Sequence, residues 1–380
     1  MKKIFYYMAA LAVSASMAAC SDDDDPKTDN GGTEETDATE ALLATAIDHF
    51  VTRTVVPTYK SLADASMDIV EACEAMEDAY GNATSVASYG RQAAQAWIDA
   101  REYWELSEAF LFGAATKYGI DPHIDSWPLN YDQLAATLAD EKVMSQMDDD
   151  YVVSNLGSGL LGFHALEYML FADGSVRDAS KLSKEELIYT AAVARDLRNH
   201  CIKLEAAWSP SGVTSAKQAI LEDAEMEPDD NFGEYMQLAG QAGSIYKSRR
   251  SACEEILQGC IDIADEVANT KIFSAYSSED EDYIESPHSK NSQKDFADNI
   301  RSIRNAYCGT NTGDGSVSTV LKTINADLDA EIISAISTAI SAIESAKGPF
   351  VDNINDATWG VAIDKCNDLR DILEEALSVL

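Results

Sequence analysis

Gly159-Leu-Leu-Gly-Phe-His164-Ala-Leu-Glu167-Tyr-Met-Leu-Phe171 is the stretch on which the fold turns, because its only strongly polar side chains are His164 and Glu167. Apolar residues lie all round its helical wheel, which places such a segment inside a core rather than on a surface. Ser154-Asn155 before it and Asp173-Gly174 after it signal loops, so the run is too short to cross a bilayer. The sequence therefore predicts a short central helix enclosed by others. Residues three apart on a helix share a face, so His164 and Glu167 project together. A buried carboxylate is costly unless it is protonated or meets a cation: a metal ion, an arginine from elsewhere, or a protonated His164. Spacing alone is served as well by a structural His-Glu pair as by a pair of ligands.

Upstream, a long helix is predicted from about Ser85 to Tyr118, in which Trp97, Arg101, Trp104 and Glu108 step by four, three and four and form one stripe. Two tryptophans turn that stripe inward and carry Arg101 and Glu108 with them. Arg101 then pairs within its own helix, with Glu105 or Glu108, or reaches the His164-Glu167 face.

These landmarks together resemble the imelysin family, bacterial extracytoplasmic proteins grouped as imelysin-like peptidases and iron-uptake components. Gly162-Phe-His164-Ala-Leu-Glu167 matches its Gly-x-His-x-x-Glu signature. The stretch from Ala96-Trp97 through Arg101-Glu-Tyr103-Trp104 to Phe112-Gly113 resembles the long helix that precedes the signature, and Ile124-Asp125-Ser-Trp127-Pro128 resembles its Asp-x-Trp-Pro turn. The likeness runs from about residue 41 to the C-terminus. It implies an all-α fold of two helical-bundle halves packed together, with a site at their interface. His164, Glu167, Glu108 and Asp125 become the expected metal ligands, supported by Arg101, Trp127, Arg304 and Tyr307. Arg304-x-x-Tyr307-x-Gly309 echoes Arg101-x-Tyr103 and Phe112-Gly113, as a degenerate duplication would. The peptidase label has no motif behind it: the signature is not His-Glu-x-x-His, and Tyr168 removes the inverted zinc motif.

The chain has 380 residues, 46% of them hydrophobic and only eight of them proline, enough to bury one large or two ordinary helical cores. Lys2-Lys3 and the apolar run Ile4 to Ala19 predict a signal peptide over 1–19. Met17-Ala-Ala-Cys20 predicts lipidation of Cys20, followed by an acidic flexible tether to residue 40. That address is the cell envelope of a Gram-negative bacterium, as an outer-membrane lipoprotein, with Ser21-Asp-Asp-Asp-Asp25 similar to a surface-export tag. A net charge of −38 repels nucleic acid and attracts cations. The six remaining cysteines are expected to be buried free thiols.

Residues 41–228 are predicted as the bundle carrying the signature and 229–380 as the second. A helix with a kink at Pro57 opens the first, and a long helix from Phe232 to about Ala268 opens the second. Ser183-Lys-Glu-Glu186 has capping-box spacing, and Glu279–Asp282 with Ser286-Pro-His288 reads as a solvated loop. Three functions fit: binding of iron, or another divalent or trivalent metal or its complex, in uptake beside iron-transport proteins; a metallopeptidase; or a recognition module whose His-Glu pair only stabilises the core.

Overall fold

The structure, a computed structural model, describes residues 31–278, 283–310 and 315–380. The chain divides into two units, Met1–Ala38 and Thr39–Leu380, and the second carries both helix groups and the site described below. The expected signal peptide, Cys20 and the first part of the tether lie outside the described residues. Helix α1 spans Gly31–His49, so the end of the expected tether is helical. Past Gly32 the chain holds no proline or glycine before Pro57, only residues that tolerate a helix.

A π-helical turn, Phe50–Val55, links α1 to α2 (Val56–Asp78). Pro57 sits in the first turn of α2, where its missing N–H costs least, and the wider turn before it absorbs the irregularity in place of a sharp kink. Helices α3 (Ala83–Glu105) and α5 (Lys184–Trp208) pack along α2, and the central α4 (Gly162–Leu170) wedges between α3 and α5. Ser183 and Glu186 make the expected capping box of α5. In the second group α6 (Arg249–Glu266) and α8 (Ala326–Ser345) pack on α9 (Ala357–Val379), and α7 (Ser292–Cys308) lies across α6 and α8. Ile332, Ile336, Ile340 and Ile343 of α8 are core, as their spacing predicts.

The two groups meet where α7 and α6 press on the end of α3 and the tight turn Glu108–Phe110 beyond it. Ser302 Oγ of α7 accepts from the Ala109 amide at 2.9 Å, fastening the seam. A single hydrophobic core runs through both groups. Among the described residues the only strands are the two-residue antiparallel pair Phe171–Ala172 and Ser175–Val176, closing α4. No helix among them is long and apolar enough to cross a membrane. Cys73, Cys201, Cys253, Cys260 and Cys366 are buried free thiols and Cys308 is a half-buried one.

Two expected helices are broken. The run from Ser85 ends at Glu105, where Ser107 Oγ donates to the Trp104 carbonyl at 2.7 Å and draws the chain into a tighter turn. The run from Phe232 stops at Gln237, because Gly240 and Gly243 take left-handed φ of 81° and 97° and Ser248 caps a fresh helix at Arg249. Phe232–Gln237 packs on α5.

Candidate functional site

Gly162 explains how the central helix comes so close to its neighbour. Its φ is +73°, and a Cβ built there would stand 2.0 Å from the Ile124 carbonyl oxygen. Only glycine fits both demands. The Trp97 indole donates to the Phe163 carbonyl at 2.9 Å, anchoring α4 to α3. His164 then faces the turn Asp121–Ile124 and the residue that ends it, Asp125.

Asp125 is the hub. Its Oδ2 accepts from the Trp104 indole at 2.7 Å, while Oδ1 is held by the Arg101 guanidinium and lies 3.1 Å from His164 Nε2. On the far side of the imidazole, Glu167 Oε2 stands 3.7 Å from His164 Nδ1. The other oxygen of Glu167 accepts from the Ser289 amide and hydroxyl, both at 2.7 Å. The motif pair is thus completed from a segment more than a hundred residues away.

Arg101 also engages Glu105 of its own helix at 2.5 Å and Glu285 of the same distant segment, with Asp295 at 3.8 Å. Both alternatives open in the sequence are therefore realised: it pairs along its helix and reaches the His164 face. Lys271, turned inward by the π-helical turn Val267–Ile272 after α6, bridges Glu285 at 3.2 Å, Glu108 at 3.6 Å and Glu105 at 3.7 Å. All of these groups are buried.

The electrostatics follow from crowding charge where water is absent. Burial would lower the His164 pKa, but the carboxylates of Asp125 and Glu167 overcome it and raise it to about 9. Burial opposes ionisation of Asp125 and Glu167, yet Arg101 and His164 hold the first below its usual range and His164 and Ser289 do the same for the second. Glu105 and Glu108 go the other way. Burial lifts both far above the ordinary carboxyl range despite Lys271, and lifts Asp295 to about 7 despite Arg101. Six buried carboxylates (Glu105, Glu108, Asp125, Glu167, Glu285 and Asp295) face three buried basic side chains (Arg101, His164 and Lys271).

Three buried atoms around the imidazole, His164 Nε2, Glu167 Oε2 and Glu285 Oε2, lack an aligned hydrogen bond; the contact of His164 with Asp125 is an ion pair only. Donor atoms of Asp125, His164 and Glu285 lie within 4.8 Å of one another, as do those of Glu105, Glu108 and Asp125. One imidazole nitrogen with carboxylate oxygens suits iron or another hard or borderline cation, so the residues present fit a metal.

Of the residues expected from the sequence, His164, Glu167, Asp125 and Arg101 come together. Trp127 lines the cleft beside them, its ring 6.0 Å from that of His164 and 5.6 Å from the Lys271 ammonium. Glu108 sits on the Lys271 side of the cluster, not against His164. Two expectations are corrected. Tyr307 donates to Asp329 at 2.7 Å within the second group, and Arg304 is exposed on the outer side of α7. Their stretch turns its inner face to α8, so the echo of Arg101 carries no role over. Of the loop read as solvated, Glu279–Asp282 lie outside the described residues, while Ser286 is buried with Ile284 and Glu285, and this segment rather than α7 completes the site. Glu285, Lys271, Asp295 and Ser289 were missed. Glu285 and Ser289 lie in a stretch without periodicity and Lys271 in a π-helical turn that α-helical counting does not foresee, so no local pattern pointed to them.

His164 and Glu167 open on a narrow cleft of about 30 Å³ walled by Trp127, Pro128 and Tyr131 from one side and by Pro287 and His288 from the other. Room of that size holds an ion with a water or two. At its mouth the Tyr131 hydroxyl meets His288 Nε2 at 2.8 Å.

A family model described as imelysin matches residues 55–376. Iron-regulated protein A of Synechococcus elongatus is 29% identical over 272 residues, covering 71% of this chain and 66% of that protein, just under two thirds of its length. A crystal structure assigned to an iron-regulated protein A precursor from Parabacteroides distasonis superposes with a TM-score of 0.76 at 27% identity, over 89% of this chain and 95% of that one. An imelysin-like protein from Psychrobacter arcticus shares the fold, with a TM-score of 0.62 at 13% identity and the same coverage of 89% and 95%. With the signature helix, its glycine and its buried acid partners in place, the chain belongs to the imelysin family.

Proposed function

We propose that this protein binds a metal ion, iron foremost, through His164, Asp125 and Glu285, with Glu167 beside them, as an extracytoplasmic component of iron uptake. The observation that carries the reading is the excess of buried carboxylates over buried cations around an imidazole whose Nε2 lacks an aligned hydrogen bond. Such an excess is relieved either by protons, as the raised Glu105 and Glu108 show, or by a cation that takes their place. The names of the two relatives called iron-regulated protein A support the choice of iron.

In this reading the residues divide the work. His164, on releasing the proton that Asp125 and Glu167 keep on it, and the carboxylates offer donor atoms, Arg101 and Lys271 hold the acids in place, and Trp127 with the Pro287–His288 segment narrows the approach. A bound ion would supply a fixed positive charge. The lipid anchor at Cys20 and the outer-membrane address belong to the same proposal, resting on the N-terminal sequence alone. A cleft this narrow does not admit an extended peptide, which weighs against the peptidase reading.

Calorimetric titration of metal-free protein with Fe(II) and Fe(III) tests this, beside His164→Ala and Glu167→Ala. Uptake by the parent that is lost in the variants is expected. No uptake, or equal uptake after both substitutions, defeats the proposal, and a melting temperature lowered with ligand behaviour unchanged would leave the pair a purely structural one.

A further inference from the structure

A second set of ligand-type side chains lies on α5, apart from the His164 cluster. Asp196 and His200 are four residues apart and share a face, and the turn Asp121–Ile124 brings His123 up to them. His123 Nε2 is 2.8 Å from Asp196 Oδ2. His200 Nδ1 is 3.7 Å from Asp196 Oδ1 and 3.0 Å from the Asp196 carbonyl oxygen. The two imidazoles stack with centroids 3.9 Å apart and planes 25° from parallel. Asp196 is only 4% exposed, yet its Oδ1 has no hydrogen-bond partner.

We propose that His123, Asp196 and His200 form a second metal site, taking a borderline divalent ion such as Zn²⁺ through two imidazole nitrogens and one carboxylate oxygen. One donor atom from each residue already lies within 4.8 Å of the others. Ligands on one tetrahedral Zn²⁺ stand roughly 3.4 Å apart, from bond lengths near 2.1 Å; His200 Nδ1 is already 3.7 Å from the orphaned Oδ1, and His123 Nε2, 2.8 Å from Oδ2, has only to shift to the neighbouring oxygen of the same carboxylate. The orphaned Asp196 oxygen gains a partner on binding, which the hydrogen bonds of the metal-free site do not give it. His123 gives up the contact it shares with Asp196, and His200 Nδ1 gives up the carbonyl. The rings must also turn from stacked to convergent, which they have room to do: their side chains are 27% and 13% exposed, at the surface rather than under the core. Nitrogen and oxygen donors without thiolate select Zn²⁺ and its neighbours over soft ions, and three protein ligands leave a position for water.

Calorimetric titration of the full chain with Zn²⁺ tests the site, done in the His164→Ala background so that the first centre does not contribute. One Zn²⁺ equivalent is expected to remain in that background and to disappear when His123→Ala or His200→Ala is added. Co²⁺ gives a second readout: visible d–d absorption that fades with either substitution. Asp196→Asn preserves the side-chain shape should the alanine variants misfold, and circular dichroism reports folding for each. Folded variants that take up as much Zn²⁺ as their parent, with an unchanged Co²⁺ spectrum, overturn the proposal. A lowered melting temperature with Zn²⁺ stoichiometry intact overturns it as well, leaving the trio as a tie between a turn and a helix.

Discussion

Asp125 Oδ1 lies 3.1 Å from His164 Nε2 while the Arg101 guanidinium holds the same carboxylate, so one acid serves two cations at the centre of the protein. The imidazole is kept protonated by a neighbour whose own ionisation is secured from elsewhere. That arrangement fixes how the protein responds to pH, to charge removal and to changes in backbone approach.

Stability of the metal-free protein should fall as pH rises from about 5 to 9. The folded pKa of His164, about 9, exceeds its ordinary 6.5, so its contribution is complete below 6.5 and is lost as pH rises through 9. That contribution is of order 3 kcal/mol. Asp121 and Asp295 act in the same direction at lower pH, because burial holds each to about 7 against 3.8 unfolded. Asp125 and Glu167, both depressed, withdraw support only in acid. Melting temperatures across this range, with and without added metal, check the claim: metal should flatten the decline, and a metal-free stability that rises toward pH 9 would contradict it.

Removing Arg101 should be among the most damaging single changes. Arg101→Met leaves Asp125, Glu105 and Glu285 without their shared partner, at a cost of about 3–5 kcal/mol in chemical denaturation. Arg101→Lys should recover little of this, since a point charge cannot reach Asp125 and Glu285 with separate nitrogens as the guanidinium does. Full recovery by lysine would show that the geometry of the fork is unimportant.

Glu167→Gln separates charge from shape. The amide oxygen can still accept from Ser289, but the charge beside His164 is gone. The His164 pKa should drop from about 9 toward 6.5, read by NMR titration of the imidazole, with a small loss of stability. An unshifted titration would mean that Asp125 alone sets the protonation state.

At Gly162 the backbone, not the chemistry, is at stake. Gly162→Ala drives a methyl group into the Ile124 carbonyl and strains a left-handed residue, so a loss of well over about 1 kcal/mol is expected. Because Ile124 adjoins Asp125, the His164 pKa should fall together with the melting temperature. A thermal shift without a titration shift would separate the helix position from the ion pair.

The signature helix, its burial and the inward stripe of Trp97, Arg101 and Trp104 were legible in the sequence, since apolar periodicity is local information. Asp125 was legible through the turn it shares with Trp127. Glu285 and Ser289 were not: they sit in a polar stretch with no periodicity, and only tertiary placement buries the first and brings the second to Glu167. Lys271 was hidden for a related reason, because a π-helical turn shifts its side chain off the face that α-helical counting assigns. Arg304 and Tyr307 misled because a short echo of residue types says nothing about which way a helix is turned.

Arg101 and Glu285 are 184 residues apart in the chain. During synthesis the ribosome must therefore release most of the protein before the arginine's distant partner exists, and until then its surroundings are better left wet. A fragment ending at Thr270, short of both Lys271 and Glu285, should exchange its α3 and α4 amides quickly where the whole chain protects them. In newborn protein the charge cluster would thus close only after the chain has been made past Glu285.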